Sequence, residues 1–237
     1  MKILGIDTTT KFLCLGISDN CRQYEYKLEL GKRQSALLVP TIKRVLESLG
    51  MDIREIDYFA CGLGPGSFTG VRVGVAAVKG LSWALKKPVI GISTLDILAK
   101  NIKAEGKFIV PCLDAKRGLI YSSIYRQSAD TLKRISPYML IGVEQLSEKI
   151  PPKSVIFGDA ANLYKEKIFT RTKGVIILDK DYWYPEARHI LELARERLKE
   201  KKLQTPFNVR PLYLYPKECQ IKKAQSVKQK AQNCPVK

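Results

Sequence analysis

Few side chains in this sequence suit catalysis, and their spacing narrows the chemistry further. Histidine occurs once, at His189, so a His-based metal site or a Ser-His-Asp triad would rest on that one residue. Its polar, helix-like surroundings predict a solvated helix residue. Six cysteines are present (Cys14, Cys21, Cys61, Cys112, Cys219, Cys234) with no CxxC pair. Cys14, Cys61 and Cys112 sit inside apolar runs and read as reduced core residues. Asp7 follows the apolar run Ile3, Leu4, Ile6 and precedes three threonines, so its carboxylate is placed to cap a tight turn. Asp114 follows a second apolar run in the same manner. Gly64-Pro65-Gly66 reverses the chain ahead of a helix that Ser67 or Thr69 can cap. Backbone N–H groups at such a start can hold an anion. No GKS or GKT follows the glycines, so this is not a P-loop, and it reads as a tight structural turn.

The elements that must position these residues are legible as periodicities. KILGIDTTTKFLCLGIS reads as two strands around a polar turn, and residues 21–30 alternate as a third antiparallel strand. Apolar residues at 37, 38, 41, 42, 45, 46 and 49 predict a helix from Ser35 to Leu49, with Pro40 in its first turn or at a bend. DYFACG (57–62) reads as a strand, Thr69 to Leu85 as a small-residue helix, PVIGIS (88–93) as a strand, and Thr94 to Lys103 as a helix with Thr94 at its N-cap. In the small-residue helix, Gly70, Gly74, Ala77, Gly80 and Ala84 recur at helical spacing. Each helical glycine costs about 1 kcal/mol against alanine, so something approaches this backbone closely. The protein's own sheet and another subunit are both open as that partner.

FIVPCLDAKRGLIYSSIY (108–125) repeats the opening strand-turn-strand pattern, with Asp114 in the place of Asp7. A repeat of that length implies a duplicated α/β domain rather than a solenoid. Further strands are expected at 138–141, 154–158 and 175–178, and a helix from Pro185 to about Lys201. The expected division is a first lobe over 1–104, a smaller second lobe over 105–216, and a basic, disordered tail over 217–237.

At 237 residues the chain is long enough to build its own core without a disulfide or metal staple. Its 45% apolar content excludes wholesale disorder, and no apolar run reaches the length of a membrane span. The N-terminal run turns polar too early for a signal peptide, which favours a cytoplasmic setting. The net charge is +18, of which +5 falls on residues 1–100, +8 on 101–216 and +5 on the last 21 residues. Such a balance suggests a polyanionic partner or a lysine-rich solvated surface.

MKILGIDTTT, GLGPGSFTGVRVGVAAVKGLSWAL, KPVIGISTL, LDAKRGLIYSSIY and YLYPKE, in that order over roughly residues 1–216, closely resemble the TsaB (YeaZ) family. The resemblance implies an α/β, actin-like and sugar-kinase-like ATPase fold of two duplicated RNase H-like lobes. It implies a non-catalytic paralogue of TsaD, the enzyme that transfers threonylcarbamoyl to adenosine 37 of tRNAs reading ANN codons. It further implies pairing with TsaD, an association with the ATPase TsaE, contact with tRNA through the complex, a homodimer when TsaD is absent, and no membrane. TsaD-like proteins carry two metal-binding histidines after the small-residue helix. Here Thr94 and Leu98 stand in those places, and neither is a suitable ligand for iron or zinc. In YLYPKE, Tyr215 stands where the family often has arginine.

In active members of the fold the first hairpin faces nucleotide phosphates. The resemblance therefore nominates Asp7, Thr8, Thr9 and Asp114 as candidates for ATP or ADP with Mg²⁺, although no cofactor is required of this chain. The partner face it implies lies on the helices at 35–49 and 69–85, at Leu37, Leu38, Thr41, Ile42, Val45, Gly70, Val71, Gly74, Val75 and Val78. Two other classes of function compete. One is a kinase-like ATPase or glycoprotease-like enzyme, which the lone histidine and the missing HExxH and Cys-His spacings oppose. The other is an RNA-binding module carried by the basic tail and second lobe, where base-stacking aromatics are missing from the tail.

Overall fold

The computed structural model describes residues 1–20, 22–129 and 131–215. The basic tail at 217–237 lies outside them. Two sheets are built on one plan. The first has the order β3(Arg22–Glu29)-β2(Phe12–Asp19)-β1(Lys2–Asp7)-β4(Tyr58–Gly62)-β5(Val89–Ile92), with β1 antiparallel to β2 and parallel to β4. Helices α1(Gln34–Ser48) and α2(Phe68–Leu85) follow β3 and β4 respectively. A short α3(Thr94–Ala99) leads to the second sheet.

The second sheet begins with β6(Phe108–Lys116), β7(Leu119–Ser122), and a hairpin of β8(Tyr125–Ser128) and β9(Thr131–Arg134). It continues through β10(Met139–Gly142), α4(Val143–Lys149), β11(Val155–Phe157), α5(Asp159–Leu163), α6(Lys165–Arg171) and β12(Ile176–Ile177). Its order is β10-β7-β6-β11-β12, with β6 antiparallel to β7 and parallel to β11. That repeats the first sheet strand for strand, with the β8–β9 hairpin added on β6. Three antiparallel strands, then two parallel ones reached through helices, make an RNase H-like lobe. Two such lobes make the actin-like ATPase fold, as expected.

The lobe boundary departs from expectation. α7(Ala187–Lys199) follows the second sheet in sequence but packs on the first. Its Ala187, Ile190, Leu191 and Ala194 share one apolar cluster with Ile3, Cys14, Ala60, Ile90 and Ile92. The opposite face of the same sheet packs Leu4, Ile6, Leu13, Leu15 and Phe59 against α1 and α2. Alternation along the strands thus feeds two cores, and without α7 one of them faces water. Each fully buried Leu or Ile contributes about 1.5–3 kcal/mol. Gly5 and Gly16 are register partners on β1 and β2, and their missing side chains let α7 settle there: a Cβ on Gly16 would stand 3.1 Å from the Ala187 carbonyl oxygen. After α7 the chain stays with the first lobe, pairing Gln204 with Val89 and burying Val209 beside α2. The division at 104/105 therefore holds for the sheets but not for residues 187–215.

Between the lobes sits a polar node. The Asp96 carboxylate on α3 accepts from Tyr125 Oη at 2.8 Å, from Tyr138 Oη at 2.9 and 2.8 Å, and from Arg197 Nη2 at 3.2 Å. Both tyrosine hydroxyls have pKa values raised by burial, that of Tyr138 to about 12, so they remain donors. Asp96→Ala would leave three donors half-buried without an acceptor, so a loss of about 2–3 kcal/mol is expected in urea denaturation, against about 1 kcal/mol for Tyr138→Phe.

Candidate functional site

The turn between β1 and β2 is the convergence point of the first lobe. Asp7, Thr8 and Thr9 are at most 1% exposed. Thr8 Oγ1 donates to the Gly70 carbonyl at 2.7 Å, and the Ser67 N–H donates to the Thr9 carbonyl at 2.7 Å. Ser67 Oγ caps α2 by accepting from the Gly70 N–H at 3.2 Å. Gly66 lies against Thr9, and Gly74 against the Thr8 hydroxyl, so both glycines serve the protein's own packing. Gly64-Pro65-Gly66 thus acts as a structural turn, its following amide already committed to Thr9.

Asp7 is closed in a ring. Its Oδ1 accepts from the Thr9 N–H at 2.8 Å and from Thr9 Oγ1 at 2.7 Å. Its Oδ2 lies 3.1 Å from Thr94 Oγ1, which is 3.0 Å from Thr9 Oγ1. The three oxygen–oxygen contacts of this ring need three protons. Two hydroxyls bring two. An ionised Asp7 would require Thr94 to donate twice with one proton. A protonated Asp7 supplies the third: it donates to Thr94, Thr94 to Thr9, and Thr9 back to Asp7. Burial, opposed by the bonds from Thr9 and Thr94, raises the Asp7 pKa in agreement with this count. Gly62 completes the enclosure, since any side chain there would collide with the Asp7 carboxyl.

Asp114 lies apart from this cluster. Its Oδ1 accepts from the Lys116 N–H at 2.8 Å, and its Oδ2 pairs with Lys116 Nζ at 2.5 Å. Its own N–H donates to Asp159 Oδ1 at 2.8 Å. Asp159 in turn caps the turn after β11, and burial raises its pKa. The candidate nucleotide residues therefore do not form one acidic site. Asp7 is neutral and walled in, and Asp114 is neutralised by its neighbour. These residues do not fit a Mg²⁺–nucleotide, which needs ionised carboxylates open to the metal or its waters.

Thr94 and Leu98, aligned with the TsaD metal histidines, are both fully buried, Thr94 in the Asp7 ring and Leu98 in the inter-lobe core. The α3 N-cap is Ser93, whose hydroxyl accepts from the Leu95 N–H at 3.3 Å, and not Thr94 as its position suggested. His189 is buried rather than solvated, with Nδ1 3.2 Å from Glu192 and Nε2 accepting from Arg188 Nε at 3.4 Å. Cys14, Cys61 and Cys112 are buried free thiols, and burial pushes Cys112 up to about 12 and the other two higher. Tyr215, in place of arginine, donates to the Ala115 carbonyl at 2.8 Å and ties the end of the described chain to the second lobe.

Of the ten residues assigned to a partner face, Leu38, Thr41, Ile42, Gly70, Val71, Gly74, Val75 and Val78 are buried within the first lobe, while Leu37 and Val45 are half-exposed. The residues that α1 and α2 present outward are others, notably Val39, Ala76, Gly80, Trp83 and Ala84. The sequence signal for them was the small-residue periodicity, whose two halves the structure separates. Gly70 and Gly74 face Thr8, but a Cβ on Gly80 would meet nothing within 4 Å.

Asp7→Asn tests the ring. Wild-type stability is greatest at acid pH and falls as pH rises from the ordinary carboxylate range through the raised pKa of Asp7. The variant cannot ionise there. Its melting temperature relative to wild type is expected to climb across that window, and a difference independent of pH would refute a protonated Asp7.

Residues 29–223 match the family described as TsaD: tRNA N6-adenosine threonylcarbamoyltransferase. Among curated relatives, the Bacillus subtilis tRNA threonylcarbamoyladenosine biosynthesis protein TsaB is 34% identical over 184 residues, covering 74% of this chain and 80% of that one. The Escherichia coli protein of the same name is 25% identical over 224 residues, covering 90% and 94%. The solved structure of YeaZ from Pseudomonas aeruginosa superposes with a TM-score of 0.78 at 24% identity, covering 90% of this chain and 100% of that one. With the duplicated fold, the closed hairpin and these relatives together, the chain belongs to the TsaB family of tRNA threonylcarbamoyladenosine biosynthesis proteins.

Proposed function

We propose that this chain is the non-catalytic partner of a TsaD-type transferase in the cytoplasm, and that it activates the transferase by docking rather than by chemistry of its own. The observation that carries the reading is the outer face of α2. Ala76, Gly80 and Ala84 line it at four-residue spacing, all exposed, with Trp83 beside them at 68% exposure. A glycine inside a helix lowers stability by about 1 kcal/mol, and Gly80 has no neighbour in this chain that would require it. A close-packing helix from outside the chain supplies the reason. The spacing suits a helix of a structurally related protein, as a paralogue of the same fold would present.

The closed Asp7 ring and the Asp114–Lys116 pair support a role without a bound nucleotide, and the buried Thr94 and Leu98 support one without the transferase's metal. Association with TsaE and contact with tRNA belong to the assembled complex in this reading. Among the described residues no helix is long and apolar enough to cross a membrane.

Reconstitution is the test. Transferase, ATPase component, threonylcarbamoyl-adenylate and tRNA should form little modified adenosine until this chain is added, and this chain alone should form none. Modification at full rate without it would overturn the proposal. Ala76→Arg and Val39→Arg change exposed side chains only, so melting temperature should stay within about 2 °C while co-purification with TsaD and the stimulated rate fall together. Val75→Arg is uninformative, because Val75 is buried in the first lobe.

A further inference from the structure

Strand β3 is the outermost strand of the first sheet, and among the described residues no strand lies beside its outer edge. It is eight residues long, and its two faces differ in kind. On the α1 side stand Tyr24, Tyr26 and Leu28, all partly exposed, beside a groove of 460 Å³ that Arg44 and Val45 of α1 also line. On the α7 side stand Gln23, Glu25, Lys27 and Glu29. Charges on an edge strand ordinarily repel another strand. Here they do so in all but one arrangement.

We propose that β3 pairs with β3 of a second copy of this chain, antiparallel about a two-fold axis through Tyr26, to give one continuous ten-stranded sheet. An axis normal to the sheet keeps the α1 face of one copy level with the α1 face of the other, so only residues of the same face stand opposite each other. With Tyr26 opposite Tyr26, Glu25 of each copy faces Lys27 of the other, giving two ion pairs on the α7 side. Tyr24 faces Leu28 twice on the α1 side, which extends the apolar row without a break. Moving the axis to Glu25 or to Lys27 sets two like charges directly against each other, and such pairs are unfavourable. The alternation of charge along RQYEYKLE therefore selects one register and penalises its neighbours. Lys27 Nζ stands over the rings of Phe12 and Tyr184 at 5.0 and 5.9 Å, which keeps it on the face where Glu25 of the mate arrives. The outer face of α2 takes no part, so the inference is independent of the proposed docking to TsaD.

Sedimentation of the full-length chain across a concentration range is the first measurement, with a reversible dimer expected. Lys27→Glu sets two carboxylates in each cross-strand pair and should weaken the dimer roughly tenfold or more, while Glu25→Lys with Lys27→Glu should restore it. In a background with Cys21, Cys219 and Cys234 replaced by Ser, Tyr26→Cys places the two sulfurs across the axis, where Cβ atoms are about 5 Å apart, and mild oxidation should yield a covalent dimer. Matching melting temperatures establish that the variants fold. A chain that stays monomeric throughout would overturn the proposal. So would a dimer indifferent to Lys27→Glu, or one that Tyr26→Cys fails to cross-link.

Discussion

The first lobe depends on a turn that has no freedom left. Asp7, Thr8 and Thr9 hold the start of α2 through Gly70 and Ser67, and the start of α3 through Thr94. The two helices that position the outer face and the inter-lobe node thus share one buried anchor. Its carboxyl stays protonated because nothing cationic pairs with it among the described residues and the two threonines can satisfy it only in that form. A carboxyl of this kind is a structural donor. Where related folds use the same hairpin to meet phosphates, this chain uses it to fasten its own elements together, and rigidity of the presented surface follows.

The second lobe follows the same plan with different bonding. Asp114 occupies the place of Asp7 but is neutralised by Lys116, and Asp159 takes over the capping of the neighbouring turn. The duplicated strands keep their order while the polar contacts at the turns have diverged. Between the lobes, Asp96 receives hydroxyls from Tyr125 and Tyr138 and a guanidinium N–H from Arg197, so three separate elements meet on one carboxylate. Domain motion would have to break all of these bonds together, which favours a fixed scaffold over a hinge.

Much of this was legible in the residues, and the omissions have physical causes. Long elements with clear periodicity, such as α1, α2 and the β1–β2 hairpin, were placed within about two residues. The helix at 34–48 runs through Pro40, which lies on its exposed side, where water can take the hydrogen bond that proline cannot donate. The β8–β9 hairpin was missed because YRQSADTLKR has too few apolar residues to mark a strand, and α4 to α6 because five to seven residues complete too few turns to show a period. The Asp7 ring could be anticipated only in part: the turn was visible, but its partner Thr94 lies 87 residues away. The partner face was placed on the right helices and on their inner sides, because periodicity finds the apolar stripe and cannot say which protein covers it. His189 misled for the converse reason, since polar neighbours on a helix do not show that one residue of the turn points inward.

The position of α7 has a consequence for how the molecule is made. The sheet of the first lobe is complete in sequence by residue 92, yet one of its two faces is covered only by residues 187–199. During synthesis the ribosome delivers that sheet long before it delivers its cover. Ile3, Cys14, Ala60, Ile90 and Ile92 must wait, exposed, while the entire second lobe is translated. The nascent chain cannot close its first half before its last helix has left the exit tunnel, so the order of manufacture and the order of folding run in opposite directions.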